Sequence, residues 1–470
     1  MIPRPEQLRS TGRDAVLRPN SAIAADPELH GVARFLRRSL QAGTGWELPF
    51  ADTGDIRLRL ADDLGPEGYR LTASPDGVEI AAATPAGAFY GVQTLRLLLP
   101  PETLRAAPVR VPDSLAVPGL EIVDAPRFRW RGQHMDVSRH FMPLPWLKRL
   151  VDLLALHKLN TLHLHLTDDQ GWRLQIDRYP RLTEVGAWRR ESPLGYYSEG
   201  IQDGRPHGGF YAKDDMRELV AYAAERFVTV VPEIELPGHS QAQIAAYPEL
   251  GNTDDTVEPW TSWGINDHIV NPEESTVQFY KDVLDEVLEV FPSRYIHIGG
   301  DEAPKTEWRA SERAQELMRE RGLANEEELQ SWFVTQIGAY LESKGRIMVG
   351  WDEILEGGLA PGAVVMSWRG EEGGVAAASA GHDVIIGPEA FVYLDYYQAP
   401  SDSGEPLAIH PEKYTDLAKV YAYEPLPAAL TEEQRGHVLG SQGQLWTEYV
   451  ATPEHAEYML FPRLCAIAEV

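Results

Sequence analysis

The stretch HIGGDEAPKTEW, residues 297–308, sets two carboxylic acids side by side directly after two glycines. Alternating apolar residues before the glycines, Ile296 and Ile298, are typical of a β-strand. Asp301 and Glu302 therefore follow the end of a strand. Like charges this close repel, and repulsion combined with burial can raise the pKa of one carboxyl group enough for it to act as a general acid. The alternative is a solvated turn, where acidic residues are common.

Polar and aromatic residues recur at the ends of the other predicted strands. After residue 126 the sequence alternates between strand-like and helix-like segments, with eight strand-like runs. Eight such units over about 340 residues fit a parallel (β/α)8 TIM barrel, whose active site lies at the C-terminal ends of the strands. The residues at these ends are Arg139, Asp168, Asp169, Glu235, His239, Trp351, Asp352, Glu353, Trp368, Arg369, Tyr393, Asp395, Trp446 and Glu448. This recurrence argues against a solvated turn at the acidic pair.

The beginning of the chain has a different pattern from the barrel region. Short β-like runs flank an Asp76-Gly77 step, which is a hairpin signal. A helical stretch follows, with Thr84 placed to cap it and proline at its first position. We therefore predict a small α+β domain over residues 1–122 and the catalytic barrel over residues 123–470.

The last predicted helix covers the segment TPEHAEYMLFPRLCAIAEV, residues 452–470. Its apolar pattern stops at Val470 in mid-helix. We therefore expect a barrel that is truncated here, in a natural chain that continues further.

Composition limits the classes of partner. The formal net charge of −28 argues against binding to nucleic acid or to an anionic membrane, which needs clustered Lys and Arg. The sequence contains no run of ~18 apolar residues, so it predicts no membrane-spanning helix. The single cysteine, Cys465, allows no intrachain disulfide. The N-terminus lacks the apolar core of a secretory signal, so a cytoplasmic location is expected, or secretion if a signal was removed. The sequence leaves the oligomeric state open.

Carboxylates combined with tryptophans favour a sugar ligand, because aromatic faces pack on the apolar face of a pyranose while carboxylates bind its hydroxyls. Glycoside hydrolysis usually needs a protonated carboxylic acid at the leaving oxygen and a second carboxylate across the ring. Asp301 and Glu302 are chain neighbours and are not expected on opposite faces of one sugar. A substrate that supplies its own nucleophile, the carbonyl oxygen of a 2-acetamido group, suits the adjacent pair better.

Seven motifs occur in one order along the barrel: MDVSRHFMP, LHLHLTDDQGWR, PEIELPGHS, HIGGDEAPKTEW, VGWDE, MSWRG and QGQLWTE. This set resembles the family-twenty glycoside hydrolases, the β-N-acetylhexosaminidases, over the whole barrel. The first region resembles the small α+β domain that precedes the barrel in that family. The resemblance implies an exo-acting, retaining enzyme that removes terminal GlcNAc or GalNAc through an oxazolinium intermediate. It implies no metal and no cofactor, and its substrate would be a small oligosaccharide or a glycoconjugate.

The resemblance also implies the groups that perform the reaction. Glu302 would be the general acid and base, and Asp301 would orient and stabilise the acetamido group. Tyr393 would donate a hydrogen bond to the acetamido carbonyl oxygen. The walls of the acetamido pocket and of the sugar site would be Trp351, Trp368 and Trp446.

The hydroxyl groups of the sugar would be bound at the opposite side of the site. The resemblance assigns hydroxyls 3 and 4 to Arg139, and hydroxyls 4 and 6 to Asp395 and Glu448. Asp168 and His239 would form a supporting pair that sets the proton affinity of the catalytic acid.

Two alternatives come from other classes of protein. His163 and His165 have the spacing of two metal ligands on one face of a strand, as in a metal-dependent TIM-barrel hydrolase. Few further histidines stand at later strand ends, with His239 the obvious one, so a supporting role for the pair is favoured. A non-catalytic amino-sugar-binding homologue is the other alternative. Retention of both carboxylic acids argues against it, because binding alone needs no acid.

Overall fold

The first strands of the chain form one sheet that two helices cover. The computed structural model describes residues 1–470, and its N-terminal sheet has six strands in the order β1-β8-β5-β6-β4-β3. The elements of this region are β1 (Gln7–Ser10), β2 (Ala15–Leu17), β3 (Ile23–Ala25), α1 (His30–Thr44), β4 (Ile56–Leu60), β5 (Tyr69–Ser74), β6 (Gly77–Ala82), α2 (Pro85–Leu98), β7 (Leu115–Val117) and β8 (Leu120–Asp124). Strands β2 and β7 form a separate antiparallel pair.

Two local predictions in this region are confirmed. Strands β5 and β6 form an antiparallel hairpin in which Ser74 pairs with Gly77, whose φ of 109° needs a glycine. The hydroxyl of Thr84 accepts a hydrogen bond from the Gly87 amide at the start of α2. Both features depend on short-range turn and cap chemistry, which the sequence shows directly.

Eight parallel strands close into a barrel, which confirms the predicted fold class. Their order around the barrel is β10-β15-β16-β17-β18-β19-β22-β9. The barrel strands are β9 (Trp130–Asp136), β10 (Thr161–His165), β15 (Thr229–Leu236), β16 (Tyr295–Gly299), β17 (Ile347–Trp351), β18 (Val364–Ser367), β19 (Val384–Ile386) and β22 (Val438–Gly443). Short strands in the loops are β11 (Thr167–Asp168), β12 (Gly171–Trp172), β13 (Trp188–Arg189), β14 (His207–Gly208), β20 (Tyr396–Tyr397) and β21 (Ile409–Tyr414).

Helices connect the barrel strands. They are α3 (Leu144–Leu156), α4 (Arg181–Glu184), α5 (Lys213–Ala224), α6 (Gln241–Ala246), α7 (Glu274–Val290), α8 (Thr306–Ala310), α9 (Glu312–Arg321), α10 (Glu326–Ser343), α11 (Glu372–Ser379), α12 (Glu389–Val392), α13 (Leu417–Tyr421), α14 (Glu432–Arg435), α15 (Pro453–Leu460) and α16 (Arg463–Glu469). None of them has the length and hydropathy that crossing a bilayer requires.

The final segment differs from the prediction of one continuous helix. It forms α15 and α16, separated at Phe461 and Pro462. Proline has no amide hydrogen to donate and disfavours helical geometry in the residue before it, so the helix stops. The apolar pattern continues across the break because both helices bury side chains in the main hydrophobic core, among them Leu460 and Leu464.

Charged residues join the N-terminal sheet to the end of the barrel that lies opposite the strand C-termini. The Lys158 ammonium donates to the Asp124 carboxylate and to the Tyr69 hydroxyl, each over 2.8 Å. Arg131 pairs with Glu67 at 2.9 Å. The N-terminal sheet therefore does not cover the C-terminal ends of the barrel strands, which are surrounded by loops.

Arg463 anchors one of those loops from helix α16. Its guanidinium is fully buried and donates to four backbone carbonyl oxygens. They belong to Leu394, Tyr396, Thr415 and Met459, at distances of 2.7–2.9 Å. A single side chain therefore holds the segment that follows Tyr393.

Replacing Arg463 by Met should lower the free energy of unfolding by roughly 3 kcal/mol or more, because each buried carbonyl left without a donor costs ~1–3 kcal/mol. Arg435→Met is the matched control, since that partly exposed arginine should change stability by less than ~0.5 kcal/mol. Urea denaturation midpoints measure both. Equal midpoints for the two variants would contradict the anchoring role.

Candidate active site

Two glycines shape the turn at the end of β16. Gly299 and Gly300 have φ of 66° and 93°, in the region that only glycine adopts readily. A Cβ atom on Gly299 would lie 1.7 Å from a carboxylate oxygen of Glu235, and one on Gly300 would lie 2.6 Å from a methyl of Ile354. Any larger residue at either position would therefore displace the turn.

The turn directs the side chains of both Asp301 and Glu302 into one cavity. Glu302 has a φ of 43°, which is uncommon outside glycine and costs on the order of 1–3 kcal/mol. The Asp301 side chain is 10% exposed and that of Glu302 is 31% exposed. Two consecutive carboxyl groups thus share a site but differ in their access to water.

The cavity lies at the C-terminal ends of the barrel strands and has a volume of about 620 Å³. The predicted residues that line it are Arg139, His239, Asp301, Glu302, Trp351, Trp368, Tyr393, Asp395, Trp446 and Glu448. Asp168 is fully buried behind this surface. Its carboxylate contacts the Arg139 guanidinium at 2.8 Å and the His239 imidazole at 3.2 Å.

Aromatic rings form a continuous wall on one side of the cavity. The ring centroids of Trp351 and Trp446 are 5.8 Å apart, and those of Trp446 and Tyr393 are 6.4 Å apart. Trp368 stacks on Tyr393 at 6.1 Å with an interplanar angle of 24°. Such a wall suits the apolar face of a sugar and a small acyl group.

Two carboxyl groups, those of Asp395 and Glu448, occupy another part of the cavity. Burial, reinforced by Glu448, raises the pKa of Asp395 well above its usual range. Burial also raises the pKa of Glu448. Oδ1 of Asp395 is buried and has no hydrogen-bond partner within the protein. These groups can exchange hydrogen bonds with the hydroxyls of a bound ligand.

His239 connects the two carboxyl groups of the turn to the buried layer below. Its Nε2 lies 3.6 Å from Asp301 and 3.5 Å from Glu302. Its Nδ1 lies 3.2 Å from Asp168 and 3.3 Å from Asp169. Burial opposes a charge on this imidazole, but Asp168 and the other carboxylates raise its pKa well above the usual value. His239 is therefore cationic.

The structure does not show the expected rise in the pKa of Glu302. Burial alone would raise this pKa, but the hydrogen bond and charge of His239, together with the charge of Arg139, lower it overall. The sequence shows Asp301 next to Glu302, whereas only the fold brings His239 and Arg139 to this carboxyl group. Glu302 is thus ionised more readily than an ordinary glutamate.

The proposed metal ligands His163 and His165 point into the barrel. The nitrogens of His165 make hydrogen bonds of 2.7 Å to Glu233 and to Asp168. Nδ1 of His163 is 3.0 Å from the amide nitrogen of Gln442. These partners use both nitrogens of His165, which disfavours the pair as a shared metal site.

The sequence prediction missed the supporting carboxyl group of Glu233, and it placed Glu353 at a strand end without giving it a role. Glu233 accepts a 2.9 Å hydrogen bond from the indole nitrogen of Trp351, and Glu353 accepts one of 3.0 Å from that of Trp368. Burial and the nearby Asp301 raise the pKa of Glu353 to about 9. Glu233 lies within the PEIEL motif, but its partners come from distant segments, so no local pattern reveals them.

The fold and the cavity place the protein among the TIM-barrel glycosidases. Residues 128–470 match the model of glycosyl hydrolase family 20, catalytic domain, and residues 1–125 match that of glycosyl hydrolase family 20, domain 2. The chain belongs to glycosyl hydrolase family 20. This result confirms the family resemblance.

Individual relatives agree with this placement. The chain is 43% identical to a beta-hexosaminidase of Porphyromonas gingivalis, over 100% of this chain and 60% of that protein. It thus spans less than two thirds of that relative. The GH20 exo beta-N-acetylglucosaminidase of Vibrio harveyi, solved with N-acetylglucosamine, superimposes with a TM-score of 0.88 at 31% identity, covering 100% of this chain and 73% of that chain. The GH20 beta-N-acetylhexosaminidase of Streptomyces coelicolor gives a TM-score of 0.85 at 34% identity, covering 100% and 90%.

Replacing His239 by Asn should raise the pKa of Glu302, because it removes a cation that favours the ionised carboxylate. If the protonated form of Glu302 is the active one, hydrolysis is lost as the pH rises through this pKa. The alkaline fall in kcat/KM should therefore move to higher pH, by about one unit or more. His437→Asn, at a site far from the cavity, is the control. An unchanged or lower alkaline pKa in His239→Asn would refute this electrostatic role.

Proposed function

We propose that the protein is an exo-acting β-N-acetylhexosaminidase that removes terminal GlcNAc or GalNAc with retention of configuration. The observation that carries this proposal is the pair of adjacent carboxyl groups in one aromatic-walled cavity. One of them is nearly buried and the other is accessible. This asymmetry suits two different tasks on the same face of a sugar better than it suits attack from opposite faces.

Asp301 is suited to the acetamido group of the substrate. Its Oδ1 atom is buried and has no partner within the protein, so it can accept a hydrogen bond from the acetamido N–H. This bond orients the carbonyl oxygen for attack on the anomeric carbon. The cyclic oxazolinium ion that forms carries positive charge, which the Asp301 carboxylate stabilises in a site with little water.

Tyr393 is suited to hold the acetamido carbonyl oxygen. Burial, reinforced by Asp395, raises the pKa of its hydroxyl well above the usual value, so the hydroxyl keeps its proton. It can therefore donate a hydrogen bond throughout the reaction. Trp351, Trp368 and Trp446 line the same part of the cavity and exclude competing water.

Glu302 is suited to move protons at the leaving oxygen. In the first step its protonated form gives a proton to the departing group, and in the second its carboxylate takes a proton from water. Each step inverts the anomeric carbon, and two inversions give retention. His239 contacts this carboxyl group and sets the balance between the two forms.

The exo mode of action is supported by the cluster of Arg139, Asp395 and Glu448. These residues line the cavity together and can bind the hydroxyls of a terminal sugar. The catalytic acid, which must face the leaving group, is the more exposed of the two adjacent carboxyl groups. This arrangement favours release of one sugar at a time from a small oligosaccharide or glycoconjugate.

The acetamido requirement is the direct test of the proposed function. An aryl N-acetyl-β-glucosaminide should be cleaved and the matching aryl β-glucoside essentially not, because the glucoside lacks the internal nucleophile. The measurement is kcat/KM for both substrates, repeated after exhaustive chelation. Comparable values would exclude substrate-assisted catalysis. Loss of activity on chelation would favour a metalloenzyme, and binding without hydrolysis would favour a sugar-binding homologue.

The two carboxyl groups should respond differently to the leaving group. Glu302→Ala should lose ~10²–10⁴-fold in kcat/KM on a natural disaccharide. It should lose less on an activated aryl glycoside, because the aryl leaving group can depart without a proton. Asp301→Asn should be severely impaired on both, because the internal attack is needed whatever group leaves. The opposite pattern would reverse the two assignments.

A further inference from the structure

Glu233 lies in β15, fully buried beneath the cavity, and four nitrogen atoms lie at 3.0 Å or less from its carboxylate. Nδ1 of His165 and Nε1 of Trp351 make hydrogen bonds of 2.7 Å and 2.9 Å to it. Nε2 of His163 and Nδ1 of His297 lie at 3.0 Å and 2.8 Å. A carboxylate so enclosed is fixed in position, and it fixes the groups bonded to it.

The two hydrogen bonds of Glu233 lead to different halves of the reaction site. Trp351 forms part of the aromatic wall of the cavity. On the other side, His165 donates a 2.7 Å hydrogen bond to Asp168, whose carboxylate contacts His239 at 3.2 Å. His239 then contacts both Asp301 and Glu302.

The charges along Glu233, His165, Asp168 and His239, here called the charge chain, alternate in sign. Burial would raise the pKa of Glu233, but His297, His165 and His163 lower it well below the usual value. Burial would lower the pKa of His165, but Glu233 and Asp168 raise it to about 10. The Asp168 carboxylate is ionised beside Arg139 and His239, which outweigh its burial. Each charge therefore depends on its neighbours in the charge chain.

We propose that Glu233 is a positioning residue for the reaction, which holds Trp351 for the acetamido group and, through His165 and Asp168, holds His239 against the two catalytic carboxyl groups. The inference rests on the proposed function. Glu233 touches no reacting atom, since Trp351 and His165 separate it from the cavity. One buried carboxylate thereby couples the position of the acetamido pocket, through Trp351, to the position of the proposed general acid, through His239.

Glu235 offers a matched comparison on the same strand. It is equally buried, but its carboxyl oxygens have no hydrogen-bond partner. Burial, together with Asp301 and Glu233, raises its pKa well above the usual value, so it is a neutral acid. A glutamine there changes no charge, whereas a glutamine at position 233 removes the charge and half of the acceptor capacity.

The test compares Glu233→Gln with Glu235→Gln on an aryl N-acetyl-β-glucosaminide. Glu233→Gln should lower kcat by about 10²-fold, the cost of a small misplacement of reacting groups, and leave KM within a few-fold. It should also weaken binding of a cyclic thiazoline mimic of the intermediate by about as much as it lowers kcat, and binding of GlcNAc far less. Glu235→Gln should change kcat, KM and both affinities by less than about five-fold, because it removes no charge and no hydrogen bond that the transition state needs. Equal effects of the two substitutions would overturn the proposal.

Variants that cut one connection at a time test the coupling. Adding His165→Gln to Glu233→Gln should cost little beyond Glu233→Gln alone, because both act along the charge chain. Fully additive losses would contradict the proposal. If Glu233→Gln does not fold, His165→Gln and Trp351→Phe decide instead. Both should lower kcat with KM nearly unchanged, and normal kcat in both would overturn the proposal.

Failure of the proposed function would have a different signature. It would be seen in the unaltered protein, as cleavage of the glucoside or as absence of cleavage. Failure of the present inference would leave the unaltered protein active and acetamido-dependent, with Glu233→Gln equal to it in kcat and in thiazoline affinity.

Discussion

The site depends on one turn of the backbone, which must deliver two consecutive carboxyl groups to one cavity. Side chains of adjacent residues in a strand point to opposite faces, so an extended chain could not do this. After β16 two glycines turn the chain, and Glu302 adopts a left-handed conformation. Both side chains contact His239, but Asp301 remains nearly buried while Glu302 is more accessible to solvent. The division of labour proposed for the pair follows from that difference in environment.

The turn creates an electrostatic problem, because it adds two acids to a region already rich in them. The fold avoids repulsion among these acids in two ways. Acids that contact a cation closely are ionised, and acids without such close contact are protonated. Glu233 and Asp168 touch imidazole or guanidinium groups and stay ionised. Asp395, Glu235 and Glu353 lack sufficient cationic contact, and burial keeps them protonated. The buried acids of the barrel thus divide into anions that hold cations in place and acids that are neutral.

The parts of this protein that sequence predicts are those with local signals. The barrel strands, the Asp76-Gly77 hairpin and the cap at Thr84 each lie within a few consecutive residues. The gathering of polar and aromatic residues in one cavity also follows, since parallel strands end on one face of a barrel. Pro462 is a local signal for the break between α15 and α16, but the apolar pattern on both sides of it predicts one helix.

The pKa of Glu302 shows what the sequence could not supply. Burial and the charge of Asp168 favour the neutral form of Glu302, but the cations that outweigh them come from the loops after β9 and β15. The same is true of Glu233, whose nitrogen partners lie on three other barrel strands, β10, β16 and β17. Charges act over distances of several ångströms in space, without regard to separation along the chain. The acid strength of a catalytic group is therefore a property of the closed barrel, and it is defined only when all of these strands are in register.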